Sequence, residues 1–145
     1  GVYRIVPVSM KRSVVKLDKK KADSKVKRWN MISESAAKQS KRSIIPEIMP
    51  VCTFNEALEM SQQLDVKLLP YECADGMAKT KKIIENLKGN ESIGIFIGPE
   101  GGYDLDELSK AKEEGWEEIT LGKRILRTET AGMMLMSVLM YMNEK

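Results

Sequence analysis

The sequence predicts a single α/β domain built on a mostly parallel sheet flanked by helices, and three observations carry that prediction. The chain has 145 residues, enough to bury a core without covalent staples and about the size of one domain. Strand-like and helix-like stretches alternate as β-α-β-α-β-α-β-α along its C-terminal two-thirds, an order that calls for parallel crossovers. Ile93-Gly94-Ile95-Phe96-Ile97 is continuously apolar, as expected of a central strand covered on both faces, and it breaks off into Gly98-Pro99-Glu100-Gly101-Gly102. No internal repeat interrupts this pattern.

Taken in order, Val2-Tyr3-Arg4-Ile5-Val6-Pro7-Val8 has a strand's composition, with Pro7 placing it at an edge or ending it. It opens with no lead-in, so a preceding domain is expected. Arg12-Ser13-Val14-Val15-Lys16 reads as a second short extended piece. From Lys19 to Lys41, Ala22, Val26, Trp29, Ile32 and Ala36 recur at steps of three and four, predicting a helix with a core-facing stripe that includes Trp29 and a basic opposite face. Lys38, Gln39, Ser40, Lys41 and Arg42 crowd its last turn. The helix dipole and contact with RNA account for them equally well.

Ile44 to Pro50 is too proline-rich for a central strand, whereas Thr53-Phe54-Asn55-Glu56 matches a capping box and opens a helix to about Leu64. A strand follows over Val66 to Tyr71, then a helix over Ala78 to Leu87 closed by Gly89. After the glycine loop a helix starts at Asp104, with Asp104 and Glu107 spaced as a capping pair. Glu118-Ile119-Thr120 is the last strand, and Thr128 is the expected N-cap of the final helix. From Met133 to Met142 that helix has almost no polar face, so it must be covered all round, by a second copy of the chain or within a larger domain.

Composition excludes several chemistries. Lys and Arg number 24 against 21 Asp and Glu, a formal charge of +3, but residues 11 to 42 are basic and 100 to 118 mostly acidic. A basic N-terminal third suits a phosphate backbone, although a solvated lysine face is the commoner explanation for such a run. There is no histidine, and Cys52 and Cys73 stand far apart. This argues against a metal site, rules out an imidazole base, and leaves proton chemistry to carboxylates, Lys, Arg or Tyr. With no signal peptide and no apolar span of about 18 residues, a soluble cytosolic protein with no membrane partner is expected.

Two loops stand out. Gly98 to Gly102 matches neither G-x-G-x-x-G nor G-x-x-x-x-G-K-[ST]. Carboxylates at Asp104, Asp106 and Glu107 use the positive end of the following helix and would repel a phosphate there. The loop therefore suits a neutral or cationic ligand: adenosine carrying a sulfonium fits, a pyrophosphate does not. A tight turn with no ligand is the plainer alternative. The second loop, Leu121-Gly122-Lys123-Arg124-Ile125-Leu126-Arg127-Thr128-Glu129-Thr130-Ala131, interleaves three cations, a carboxylate and two hydroxyls. Helix capping explains Thr128 and Glu129, and capping and function are expected together.

These two loops, with Arg12 to Lys16, resemble the ribosomal RNA small subunit methyltransferase E family, and the resemblance runs along the whole chain in order. It implies methylation of N3 of a uridine in small-subunit ribosomal RNA with S-adenosylmethionine as donor, on the SPOUT fold, whose C-terminal segment threads a deep trefoil knot. It also implies a homodimer and, in family members, an N-terminal RNA-binding domain of PUA type that residues 1 to 145 do not include. On this resemblance the donor pocket is lined by Leu69, Pro70, Tyr71 and Glu72; by Ile97, Gly98, Pro99, Glu100, Gly101 and Gly102; and by Leu121, Gly122, Ile125, Leu126, Thr128 and Ala131. Arg12, Lys16, Gln39, Lys41 and Arg42 face RNA. Arg127 is the first candidate to stabilise a deprotonated base, Arg124 to hold a phosphate, and Glu129 a weaker candidate for proton acceptor. A ribose-hydroxyl methyltransferase of the same fold, or a binding module without catalysis, remains the alternative.

Overall fold

The computed structural model describes residues 1–14, 16–72 and 76–144; Val15 of the expected second strand and Cys73 lie outside them. Its organising strand is β5 (Val66–Pro70), paired in parallel with β6 (Ile93–Ile95) on one side and β7 (Glu117–Ile119) on the other. Side chains alternate faces along a strand, so Leu68 and Leu69, both fully buried, divide the core in two. Leu68 packs with Ile84, Ile119, Leu135 and Leu139, which come from helices α3 (Met77–Glu85) and α5 (Thr128–Asn143) and from β7. Leu69 packs with Phe54 and Leu58 of α2 (Phe54–Met60), Leu108 and Ala111 of α4 (Leu105–Glu113), and Phe96, Tyr103 and Trp116. The result is an α/β/α layering in which all sheet pairs are parallel.

Two small parallel pairs complete the described part. β1 (Arg4–Ile5) joins β3 (Glu47–Ile48), and β2 (Val8–Ser9) joins β4 (Cys52–Thr53). Pro7 falls between β1 and β2, where its missing N–H breaks the opening run in two. The long helix α1 (Lys19–Gln39) starts at Asp18, whose carboxylate accepts from Lys21 N at 2.8 Å. The capping box of α2 forms as expected, Glu56 N to Thr53 Oγ1 at 3.2 Å and Thr53 N to Glu56 Oε2 at 2.8 Å.

Three sequence expectations are corrected. Ile93 to Ile97 is not central: β6 is an edge of its three-stranded sheet and β5 the middle. Continuity of apolar residues reports burial on both faces but not the order of strands. Lys11 and Arg12 form a turn rather than extended chain, closed by Ser13 N to Met10 O at 3.2 Å. The α1 stripe is only partly covered, since Ile32 is 55% exposed and Trp29 half-buried, lining an open apolar groove with Ile5, Pro7 and Ile48. Within the single chain α5 is buried on one side, through Ala131, Leu135 and Leu139, while Met133 and Tyr141 are well exposed.

Candidate functional site

Because β5, β6 and β7 are parallel and adjacent, the segments that follow them leave from the same edge of the sheet, where ligands of open α/β sheets bind. That edge gathers Pro70, Tyr71 and Glu72, then Ile97 to Gly102, then Leu121 to Leu126. The first turn of α5 closes over it: a Cβ built on Gly132 would sit 3.6 Å from Ile97 Cγ1. All three segments expected to line one pocket therefore leave the same edge, and Arg124, Arg127, Thr128, Glu129 and Ala131 fall just before and within the first turn of α5.

The glycine loop is held from below. Gly102 N donates to Pro99 O at 2.9 Å, and Gly102 has φ of +75°, a conformation that disfavours any side chain. Tyr103 supports it: its hydroxyl donates to Phe96 O at 2.6 Å, and a Cβ on Gly98 would lie 3.0 Å from two of its ring carbons. The Tyr103 ring also meets Tyr71 edge-on at 6.0 Å between centroids, joining the first and second segments. Burial pushes the Tyr103 phenol well above its usual range, which suits a support and not a proton carrier.

The Lys11–Arg12 turn docks against this loop. A Cβ on Gly101 would fall 2.8 Å from Arg12 O and 3.1 Å from Arg12 Cβ, so the approach of the Arg12 backbone by itself requires glycine at this position. Lys11 Nζ lies 3.2 Å from Asp104 and 3.5 Å from Asp106, and Lys11 N donates to the buried carboxylate of Glu107 at 3.3 Å. The hydrogen bond from Lys11 holds the Asp104 carboxyl below its usual range. Asp104 caps α4 by accepting from Asp106 N at 3.1 Å and faces the Glu107 backbone N–H, while the Glu107 side chain turns to Lys11 N instead of returning to the Asp104 backbone. The turn thereby brings Arg12, exposed, to the rim of the glycine loop.

The second loop leaves β7 through Thr120 and Gly122, the latter at φ of +119°. Arg127, not Thr128, is the N-cap of α5, and it makes no side-chain cap bond; Thr128 is the first helical residue. Arg124, Arg127 and Glu129 are exposed, and among the described residues none of the three forms an ion pair. Ile125 is 79% exposed, whereas Leu121, Leu126 and Thr128 are half-buried and Ala131 is buried.

Some expected site residues have other duties. Leu69 is fully buried between the helices of the second layer, so it supports the pocket edge without reaching it. Arg42 donates through Nη2 to Val2 O at 2.9 Å, tying the end of α1 to the opening strand. Lys41 is exposed with φ of +56°, and Gln39 and Lys16 are exposed too. The supports Tyr103, Lys11 and Gly132 escaped sequence reading because nothing in their spacing marks a contact with a distant loop. Among the described residues no group of three or more His, Cys, Asp or Glu is placed to hold a metal, and no helix is long and apolar enough to cross a membrane.

The RNA methyltransferase domain family matches residues 1–140. This chain belongs to that family. It is 37% identical to the ribosomal RNA small subunit methyltransferase E of Bacillus subtilis over 99% of this chain and 57% of that protein, so it spans little more than half the relative's length. Among solved structures, it superposes with a TM-score of 0.80 and 32% identity on the ribosomal RNA small subunit methyltransferase E of Neisseria gonorrhoeae bound to S-adenosyl methionine, covering 97% of this chain and 55% of that one. A Legionella pneumophila protein in complex with SAM as bound cofactor gives a TM-score of 0.85 at 29% identity, covering 97% of this chain and 56% of that one. These likenesses extend over the sheet, both loops and the helices that carry them.

Proposed function

We propose that this methyltransferase domain binds S-adenosylmethionine at the common edge of β5, β6 and β7 and methylates N3 of a uridine in small-subunit ribosomal RNA. The observation that carries the proposal is the convergence of three strand-following segments on the uncapped N-terminus of α5, where Arg127 stands. The residues suit the donor. Pro70, Ile97, Leu121 and Leu126 are half-buried and offer apolar surface to a nucleoside, and among the described residues none beyond the chain neighbours lies within 4 Å of where a Cβ on Gly102 or Gly122 would be, leaving room over the backbone. The carboxylates at the head of α4 favour a cationic ligand over a phosphate.

When bound, the donor supplies a methyl group already activated by its positive sulfur. Transfer to N3 would leave a neutral sulfur on the donor and would require the N3 proton to be lost to a base or to solvent. Arg127 stabilises the anionic base and so favours that loss. Arg124, three residues away on the same loop, holds a phosphate, and Glu129, in the first turn of α5, is a second candidate to accept the proton. Arg12 reaches the rim of the glycine loop from the turn clamped by Lys11, and Lys16, Gln39, Lys41 and Arg42 extend the RNA face.

The family resemblance supports two further parts of this reading. The segment from Leu121 through α5 threads the trefoil knot of a SPOUT fold, and the exposed side of α5 meets a second copy in a cytoplasmic homodimer. Residues 1–145 are then the methyltransferase unit. Transfer of labelled methyl to small subunits and to naked ribosomal RNA, followed by mapping of the modified atom, tests the reaction. Methyl on a ribose hydroxyl would replace the base-directed chemistry, and binding of S-adenosylhomocysteine with no transfer to either RNA would leave a binding module.

A further inference from the structure

The most enclosed polar contact near the proposed donor site lies behind it. Thr80, in α3, is 2% exposed. Its hydroxyl donates to Thr120 O at 2.9 Å and accepts from Thr120 N at 3.1 Å. The pairing of β7 with β5 stops at Ile119, opposite Pro70. Thr120 is one residue past that point and only 7% exposed, so its backbone groups would be buried with no strand to bond them. One side-chain hydroxyl, able both to donate and to accept, takes the place of a neighbouring strand.

The connection continues outward. The hydroxyl of Thr120 donates to Gly122 O at 3.2 Å and accepts from Gly122 N at 3.3 Å, fixing the bend where Gly122 adopts φ of +119°. Past that bend the chain becomes the Leu121–Leu126 loop. At the other end the hydroxyl belongs to α3, which comes between β5 and β6 in the chain, so it ties that helix to the start of the third pocket-forming segment. A threonine hydroxyl inside a helix can bond its own preceding turn; Thr80 instead bonds a backbone forty positions away.

We propose that Thr80 is a positioning residue for methyl-donor binding: acting through Thr120, it sets the pose of the loop that begins at Gly122. The proposal rests on the donor pocket inferred above, and its test separates the two. Thr80→Val keeps the shape and removes both bonds, Thr80→Ser keeps the hydroxyl, and Thr120→Val leaves the Thr80 contacts in place while cutting the link to Gly122. Calorimetric titration with S-adenosylhomocysteine, well below each protein's melting temperature, is paired with amide hydrogen exchange at Gly122.

Both valine variants are expected to bind roughly tenfold more weakly, the effect of losing about one buried hydrogen bond's worth of preorganisation, with faster exchange at Gly122. Thr80→Ser is expected to restore both. If Thr80→Val does not fold, Thr120→Val carries the same expectation. Folded valine variants with wild-type affinity and wild-type exchange would overturn the positioning role. Faster exchange at Gly122 in a protein whose wild type takes up no S-adenosylhomocysteine would overturn the donor pocket itself, leaving Thr80 as a clamp on a loop of other use.

Discussion

Arg127 occupies a position at which Ser, Thr, Asp or Asn would bond the free amides of α5 and at which the helix dipole disfavours a cation. On the proposed reading, this departure from the local rule reflects a functional role at the cost of stability. Arg127→Asp should therefore raise folding stability by on the order of 1 kcal/mol in urea unfolding, while methyl transfer falls to background. An unchanged rate would remove Arg127 from the chemistry. Gly98 shows the opposite relation, with sequence and packing in agreement. Tyr103 is pinned by its bond to Phe96 O and cannot retreat from an added methyl 3.0 Å away. Gly98→Ala should cost roughly 1–3 kcal/mol as overpacking and weaken S-adenosylhomocysteine binding. Calorimetry on the folded variant checks the second effect separately from the first.

At the level of elements, short-range rules do well and packing decides the remainder. The capping box of α2 and the N-cap at Asp104 follow from a few adjacent side chains, and both form. The end of α1 is more informative. Arg42 N bonds Ala37 O and Lys41 N bonds Lys38 O, a Schellman ending whose left-handed position holds Lys41 where glycine is usual. Lys41→Gly should stabilise the domain by up to about 1 kcal/mol. If Lys41 also meets RNA, the same variant will bind small-subunit ribosomal RNA less tightly and show a shallower salt dependence; unchanged binding and slope would confine Lys41 to the helix end.

For the molecule as a whole, α5 divides its surface between the Leu68 core and solvent. Met133 and Tyr141 lie on the uncovered part, 64% and 85% exposed, with Met134, Met140 and Met142 nearby in sequence. On the proposed reading a second copy covers them. Sedimentation should give a dimer for the wild type and a monomer for Met133→Glu/Tyr141→Glu, whose near-unchanged circular dichroism would show an intact fold. A wild type that stays monomeric at high concentration would end the dimer proposal.

Much of the fold and site was legible in linear form. The alternation of elements, the caps of α2 and α4 and the positions of the two loops all depend on neighbours a few residues apart, where periodicity, capping chemistry and charge act directly. Assembly decided which strand is central, since the fully buried Leu68 and Leu69 of β5 and the edge residues of β6 look equally apolar in the chain. Assembly also gave Gly101 its role against Arg12, moved Leu69 into the core, committed Arg42 to Val2 and made Thr80 a partner of Thr120. Each of these depends on which surfaces meet when distant segments pack, and no local pattern of side chains encodes that.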